Sequence, residues 1–186
     1  MVTATSPLAD TLADYRPHGD TELADVARLR ELVRSTADPW DTTTPLHVTA
    51  SALIVHPPTR RVLLRWHERQ QAWLQVGGHG DPGETDPLEI ALREGHEEAG
   101  LTDLVPWPQP QVLHITVVPV VARGDEPAHE HADVRYVFAT DRPDDVRPEK
   151  PNAPLRWLSL PDARAATTEP NVQESLTRLD TLLADR

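Results

Sequence analysis

Gly77 to Leu101, GGHGDPGETDPLEIALREGHEEAGL, decides how this chain is read. The stretch opens as a glycine-rich loop, becomes a helix and ends on a helix stop. Asp86 can serve as N-cap, Pro87 suits the first helical position, and Glu89 can reach back as in a capping box. Gly100 is free to turn left-handed, and Leu101 can fold back onto the helix. Leu88, Ala91, Leu92, Gly95 and Ala99 share one helical face. Glu94, Glu97 and Glu98 fall on the other, within about one turn of each other. Like charges at that spacing repel, by a few tenths of a kcal/mol per pair in water and more in a cleft of low dielectric. Mg2+ removes the repulsion, because a hard cation takes carboxylate oxygens together with phosphate oxygens and water. Without a cation the triplet reads as a solvated acidic face.

The elements on either side follow from periodicity. Ser6-Pro7 opens a short helix with Leu8, Leu12 and Tyr15 on one side. A second helix from Glu22 to about Ser35, started by Asp20-Thr21, carries a stripe of Leu23, Val26, Leu29, Leu32 and Val33. Residues 1–45 therefore read as a helical extension, packed on the main domain or on a second subunit, so a homodimer stays open. Residues 46–186 read as the main domain. His47 to Val55 and Arg61 to Trp66 form a predicted hairpin, and Ala72 to Val76 leads into the glycine loop. Val112 to Ala122 is a β-rich run in which Pro119 marks an edge or a bulge. Arg123 to Ala132 reads as a polar loop, Asp133 to Thr140 and Leu155 to Leu158 as strands. Asn171 is placed to cap a last helix with Val172, Leu176, Leu179 and Leu183 on one face.

GGHGDPGE followed by REGHEEAGL resembles the Nudix box, the signature of the Nudix hydrolases. Gly78, Glu84, Arg93, Glu94, Glu97, Glu98, Gly100 and Leu101 match it. Eight residues separate Glu84 from Arg93 where the family has seven, and Gly95 stands where the family has an aliphatic residue. The extra residue is most easily absorbed before Pro87, and it bears on the pairing of Glu84 with Arg93. The order of strand pair, short strand and box also resembles the Nudix domain. Trp73 and Leu74 fit the family pattern ahead of the paired glycines, and Val76 replaces its proline. The resemblance implies an α/β fold, the Nudix-type α/β/α sandwich with a mixed β-sheet, here with the N-terminal helical extension.

It also implies an activity: metal-dependent cleavage, by water attack at phosphorus, of a phosphoanhydride bond in a nucleoside diphosphate linked to another moiety. Such chemistry asks a protein for positioning and charge neutralisation. On this resemblance the metal, Mg2+ or Mn2+, falls to Glu94, Glu97 and Glu98 with a carbonyl of Gly77 or Gly78. Glu94 and Glu97 are candidates for the base that takes the proton of the attacking water, with Glu126 and Glu130 outside the box as further candidates. Glu84 and Arg93 are structural. The family also contains non-catalytic modules that sense a nucleotide, which is the alternative reading. An isomerase of the isopentenyl diphosphate type needs a cysteine, and the sequence has none.

Beyond the box, His129, His131 and Asp133 would share a face in an extended segment. There they would make a metal or phosphate contact, or lie on a solvated loop. His79 sits inside the glycine loop and is a second candidate for touching substrate. His96 is turned away from the glutamates. Trp66, Trp73, Tyr136 and Trp157 are candidates for base stacking, although such strand positions are more often core or rim. No nucleophile elbow, Walker loop or dinucleotide fingerprint competes.

A net charge of −12 argues against binding a nucleic acid polymer. It is compatible with a small phosphorylated substrate held through bridging cations. The lack of cysteine removes disulfides and thiolate metal sites. No apolar run resembles a signal peptide or approaches a membrane span, so the expectation is a cytoplasmic protein without membrane contact.

Overall fold

A computed structural model describes residues 6–185. The elements run α1 (Pro7–Asp14), α2 (Gly19–Ser35), β1 (Leu46–His56), β2 (Arg61–His67), β3 (Ala72–Leu74), β4 (Val76–Gly78), α3 (Pro87–Ala99), β5 (Val105–Pro106), β6 (Val112–Val120), β7 (His129–Ala139), β8 (Leu155–Ser159), α4 (Leu160–Ala166) and α5 (Pro170–Ala184). None of the described helices is long and apolar enough to cross a membrane.

β1 and β7 are the spine. They pair in parallel from Leu46 with Glu130 through Val55 with Ala139, and the other pairings are antiparallel, so the sheet is mixed. One edge of β1 is shared. Its C-terminal end pairs with β2 and its middle with β4. The strand that carries the paired glycines is thereby laid directly beside β1.

Alternation along β1 sorts its side chains into two layers. Val48, Ala50, Ala52 and Ile54 join a core that also contains Leu8, Leu12, Val26 and Leu29 of α1 and α2 and Ile90 and Ala91 of α3. Leu53 and Val55 join a second core with Leu160, Val172, Leu176 and Leu179 of α4 and α5. Helices thus cover both sheet faces, which makes the α/β/α sandwich. The first part of the second face is polar: His47, Thr49 and Ser51 follow the same alternation but meet a cleft instead of a helix.

β6 pairs only with β7 among the described strands, as Pro119 suggests. Two outward N–H groups of this edge strand are taken by α2. Ile115 N donates to Glu22 (3.0 Å) and Val117 N donates to Asp25 (3.0 Å). Carboxylates of a helix therefore cap part of a sheet edge that would otherwise be open to another strand.

Several sequence-based boundaries move. The segment expected as a polar loop over Arg123 to Ala132 becomes strand from His129, because β1 offers it a parallel partner and its polar side chains reach the cleft. Ala72 to Val76 divides into β3, which pairs with β2, and β4, which pairs with β1. α2 begins at Gly19 rather than at the Asp20-Thr21 start. Asn171 does not cap α5; Glu169 holds that position, Pro170 opens the helix, and the Asn171 side chain instead accepts from Arg135 at 2.6 Å.

Candidate active site

α3 forms as its end signals dictate. Asp86 Oδ1 accepts from Leu88 N (2.9 Å), Pro87 takes the first turn, and Gly100 closes the helix at φ 68° with its N–H on His96 O (2.9 Å). The cap works through Leu88 alone; no reciprocal bond from Glu89 accompanies it among the described residues. The apolar face packs so closely on β1 that a Cβ on Gly95 would lie 2.9 Å from Leu104 Cδ1 and 3.6 Å from Ala52 Cβ. A branched aliphatic at this position would collide, which accounts for the glycine.

The opposite face carries Glu94, Glu97 and Glu98: Glu94 and Glu98 lie against the glycine loop, and the exposed Glu97 is held by Arg93. Glu98 is buried and accepts from Gly77 N at 3.0 Å, with Arg65 Nη1 3.3 Å away. Gly77 needs its missing side chain: a Cβ would sit 2.7 Å from the backbone oxygen of Ala50. The loop and these carboxylates define a cradle; at Gly78 a Cβ would sit 2.7 Å from Glu94 Oε1, so a side chain there would displace the Glu94 carboxylate from the loop. Burial pushes the Glu98 carboxyl up to about 7, against the opposing pull of Arg65 and Gly77 N–H. Burial also raises Glu94, with Arg93 opposing and Glu97 and Asp81 adding to the rise. Two carboxylates are therefore held with less positive charge around them than they would need to ionise freely.

Arg93 organises the entrance. It donates to Glu84 (Nε at 3.1 Å, Nη2 at 2.9 Å), Glu94 (2.9 Å), Glu97 (3.0 Å) and the carbonyl of His79 (2.8 Å). The Arg93 hydrogen bonds hold Glu84 below the usual carboxylate range, against a smaller effect of burial. The Glu84–Arg93 pair is thus made despite the extra residue between them. A tight turn with Glu84 N on Asp81 O (2.9 Å) and Asp81 N on Glu84 Oε2 (2.8 Å) keeps Glu84 in reach.

Beside this cradle lies a cleft of about 870 Å3, lined among others by Gly77, Gly78, Glu98 and the polar face of β1 and β7. Parallel pairing sets His47 beside His131 and Thr49 beside Asp133. Asp133 is buried and accepts from Thr49 (3.1 Å), Ser51 (2.9 Å) and Arg135 (2.8 Å). Arg135, 1 % exposed, is held in turn by Asn171 and Ser175 of α5. At the outer end four imidazoles gather. His47 Nε2 is 3.1 Å from His79 Nε2, and His129 Nε2 is 3.1 Å from His131 Nε2. Burial holds His47, His79 and His131 below the usual histidine range, His131 at about 3.

The NUDIX domain family model matches residues 45–179. The chain belongs to the NUDIX family. Its solved relatives include the Ap4A hydrolase of C. elegans, 24% identical with TM-score 0.57 over 73% of this chain and 97% of that one. They include the dihydroneopterin triphosphate pyrophosphohydrolase of E. coli, 18% identical with TM-score 0.55 over 75% and 96%. The Nudix hydrolase RenU of M. smegmatis is 26% identical with TM-score 0.53 over 75% and 86%. Among curated protein sequences none matches significantly.

Within this NUDIX domain the sequence-based candidates part company. Glu94, Glu97, Glu98, Gly78, Glu84 and Arg93 come together on the box, and His79 and His131 meet across the adjoining cleft. Glu130 points to the other sheet face and pairs with Arg28 of α2, which removes it from the cleft. Glu126 lines the cleft and pairs with Arg69 at 2.7 Å. No base-stacking aromatic faces the cleft among its lining residues: Trp66 and Trp73 pack on each other, Tyr136 is core, and Trp157 donates to Pro143 O. His47, Arg65 and Arg135 were not singled out from the sequence. The alternation of His47, Thr49 and Ser51 was the available signal for the first; the two arginines carry none without the strand register.

Proposed function

We propose that this NUDIX hydrolase cleaves a phosphoanhydride bond of a nucleoside diphosphate linked to a second moiety, using Mg2+ or Mn2+ held by Glu94, Glu97 and Glu98 with a carbonyl of Gly77 or Gly78. The observation that carries the reading is the cradle: carboxylates, one of them pushed up to about 7, lie against a glycine loop at the mouth of a polar cleft. Their hard oxygen donors suit such an ion. When bound, the cation would neutralise phosphate charge and favour ionisation of a coordinated water.

The chain's own residues divide the rest of the work. Glu94 and Glu97 are the candidates to take the proton from the attacking water, since both are already oriented by Arg93 and Glu94 lies against Gly78. Glu84 fixes Arg93, and Arg93 fixes the loop through His79 O. His79 and His131 line the cleft where phosphate groups would pass.

A panel of nucleoside diphosphate compounds and dinucleoside polyphosphates, incubated with Mg2+ or Mn2+ and scored for products, tests the proposal. At least one should be cleaved, and Glu98→Gln should lose at least about 100-fold in kcat/KM, the scale of removing one preorganised electrostatic group. An unaffected Glu98→Gln would refute the site. Tight binding with no turnover across the panel would favour the nucleotide-sensing alternative.

A further inference from the structure

We propose that His47, His79 and His131 form a second, nitrogen-only metal centre in the same cleft, selective for a zinc-class ion, with His129 placed to supply a fourth imidazole. One ligand atom from each of the first three lies within 4.8 Å of the others. The two closest nitrogen pairs, His47 with His79 and His129 with His131, stand at 3.1 Å. Zn–N bonds of about 2.0–2.1 Å in a tetrahedron place neighbouring nitrogens roughly 3.3 Å apart. Each pair thus already has nearly the length of one tetrahedral edge, and the remaining gaps among His47, His79 and His131, none above 4.8 Å, are of a size that side-chain rotation can close.

The outer hydrogen bonds prepare the ligating tautomer. His47 Nδ1 is 3.0 Å from the carbonyl of Thr44, and His129 Nδ1 is 3.0 Å from the carbonyl of Pro127. A carbonyl can only accept, so both Nδ1 atoms carry the proton and both Nε2 atoms turn a lone pair inward. That arrangement is the usual orientation of metal-bound histidine, with the second nitrogen tied to a backbone oxygen. In the metal-free protein each inward lone pair accepts from a partner imidazole, His79 or His131. Metal binding needs those two rings only to move their proton from Nε2 to Nδ1, with no net proton released.

The backbone supports are rigid. His47 and His131 are register partners on adjacent parallel strands, and His79 follows the strand that pairs with β1. Donor chemistry separates this centre from the box: imidazole suits Zn2+, Co2+, Ni2+ or Cu2+, whereas Mg2+ prefers the carboxylates. Without His129 the three imidazoles leave one coordination position, open to a phosphate oxygen or water; with it the shell is closed.

The test is a metal titration of the full chain after chelator treatment. Zn2+ should bind at one equivalent in the presence of millimolar Mg2+, and Co2+ should give the visible spectrum of a tetrahedral nitrogen site. His131→Gln and His47→Gln should each weaken Zn2+ by more than the roughly 10–100-fold that a change in an outer hydrogen-bond partner costs. Glu98→Gln should leave that affinity within about threefold of the parent. The parent's titration needs no variant, so a misfolded histidine variant leaves it decisive. Absence of tight Zn2+ binding overturns the proposal, as does binding of inorganic phosphate in place of Zn2+. Loss of Zn2+ binding in Glu98→Gln with retention in the histidine variants also overturns it, because the ion would then sit on the carboxylates.

Discussion

Replacing Glu22 by Gln tests what locks the N-terminal helices to the rest of the fold. Glu22 is 2 % exposed and accepts from Ile115 N (3.0 Å) and Arg178 NH1 (2.9 and 3.0 Å), and also from the Tyr15 hydroxyl and His18 N. One carboxylate therefore ties α1, α2, the edge strand β6 and α5. Glutamine keeps the shape but withdraws the charge and points N–H donors at groups that are themselves donors. Arg178, a largely buried cation, is left with only the exposed Glu174 as a charged partner. Breaking a buried pair from one side costs about 3–5 kcal/mol. At roughly 2–4 °C per kcal/mol for a chain of this size, Tm should fall by roughly 6–20 °C. Replacing Arg178 by Met as well should recover part of the loss, because the stranded charge is gone. Burial alone would raise Glu22, but Arg178, the two backbone N–H groups and Tyr15 outweigh it and hold the folded value below the usual one. A depressed folded pKa gives stability that is fully present above the unfolded value of about 4.3 and fades as pH falls through the folded value. The gap between parent and variant should therefore narrow on acidification. Urea unfolding followed by circular dichroism, repeated across the acid range, reads both effects. A variant within about 1 kcal/mol of the parent at neutral pH, or a gap that does not shrink in acid, would refute the assignment of Glu22 as a charged anchor.

Gly95→Ile should destabilise by about 1–3 kcal/mol in the same assay, because the added atoms meet Leu104 and Ala52. Gly95→Ala should stay within about 1 kcal/mol of the parent, its gain in helix propensity offsetting the contact with Leu104. Asp133→Ala removes the partner of the buried Arg135 and should cost about 3–5 kcal/mol by urea titration. We propose that residues 1–45 act as part of the main core rather than as a detachable unit. Their deletion would remove Leu8, Leu12, Val26 and Leu29 and expose the rest of that core, including Val48, Ile115 and Val134, and gel filtration of the remainder should show aggregates instead of a monodisperse species.

The helix of the box was legible because its information is local. Cap, first-turn proline, apolar stripe and left-handed stop all lie within Asp86 to Gly100, so the element is readable without its tertiary partners. The glutamate face followed from the same register, whereas the Glu84–Arg93 pair rested on the family resemblance alone and the extra loop residue left it open. The histidine cluster was only half legible. His129 and His131 stood out by alternation, but their polar surroundings read as a loop, because strand formation there depends on β1, which is far away in sequence. His47 looked like an ordinary strand start until parallel pairing set it beside His131. Asn171 was misassigned for a related reason: its side chain serves Arg135 across the domain, and a local reading offers it only the helix to cap.

Charge pairing around the cleft bears on how a polyanion can be held there. The arginines that line it are Arg65, Arg69 and Arg135, and each is committed to a carboxylate: Arg65 to Glu98, Arg69 to Glu126, Arg135 to Asp133. Arg93, at the entrance, is shared among Glu84, Glu94 and Glu97. The chain carries −12 overall, so its long-range field also disfavours an incoming phosphate chain. A substrate bearing several negative charges thus finds no uncommitted cationic side chain among the described residues of the cleft. Positive charge must be brought in with it. Carboxylates buried enough to push Glu98 up to about 7 are suited to receive that charge as a hard cation, and neutral imidazoles in the same cleft are suited to receive a softer one. On this account catalysis should depend steeply on free Mg2+ or Mn2+, and added monovalent salt should not replace it. Turnover that persists unchanged in excess chelator would mean that the arginine pairs open to meet the substrate, and the charge argument would fail at that point.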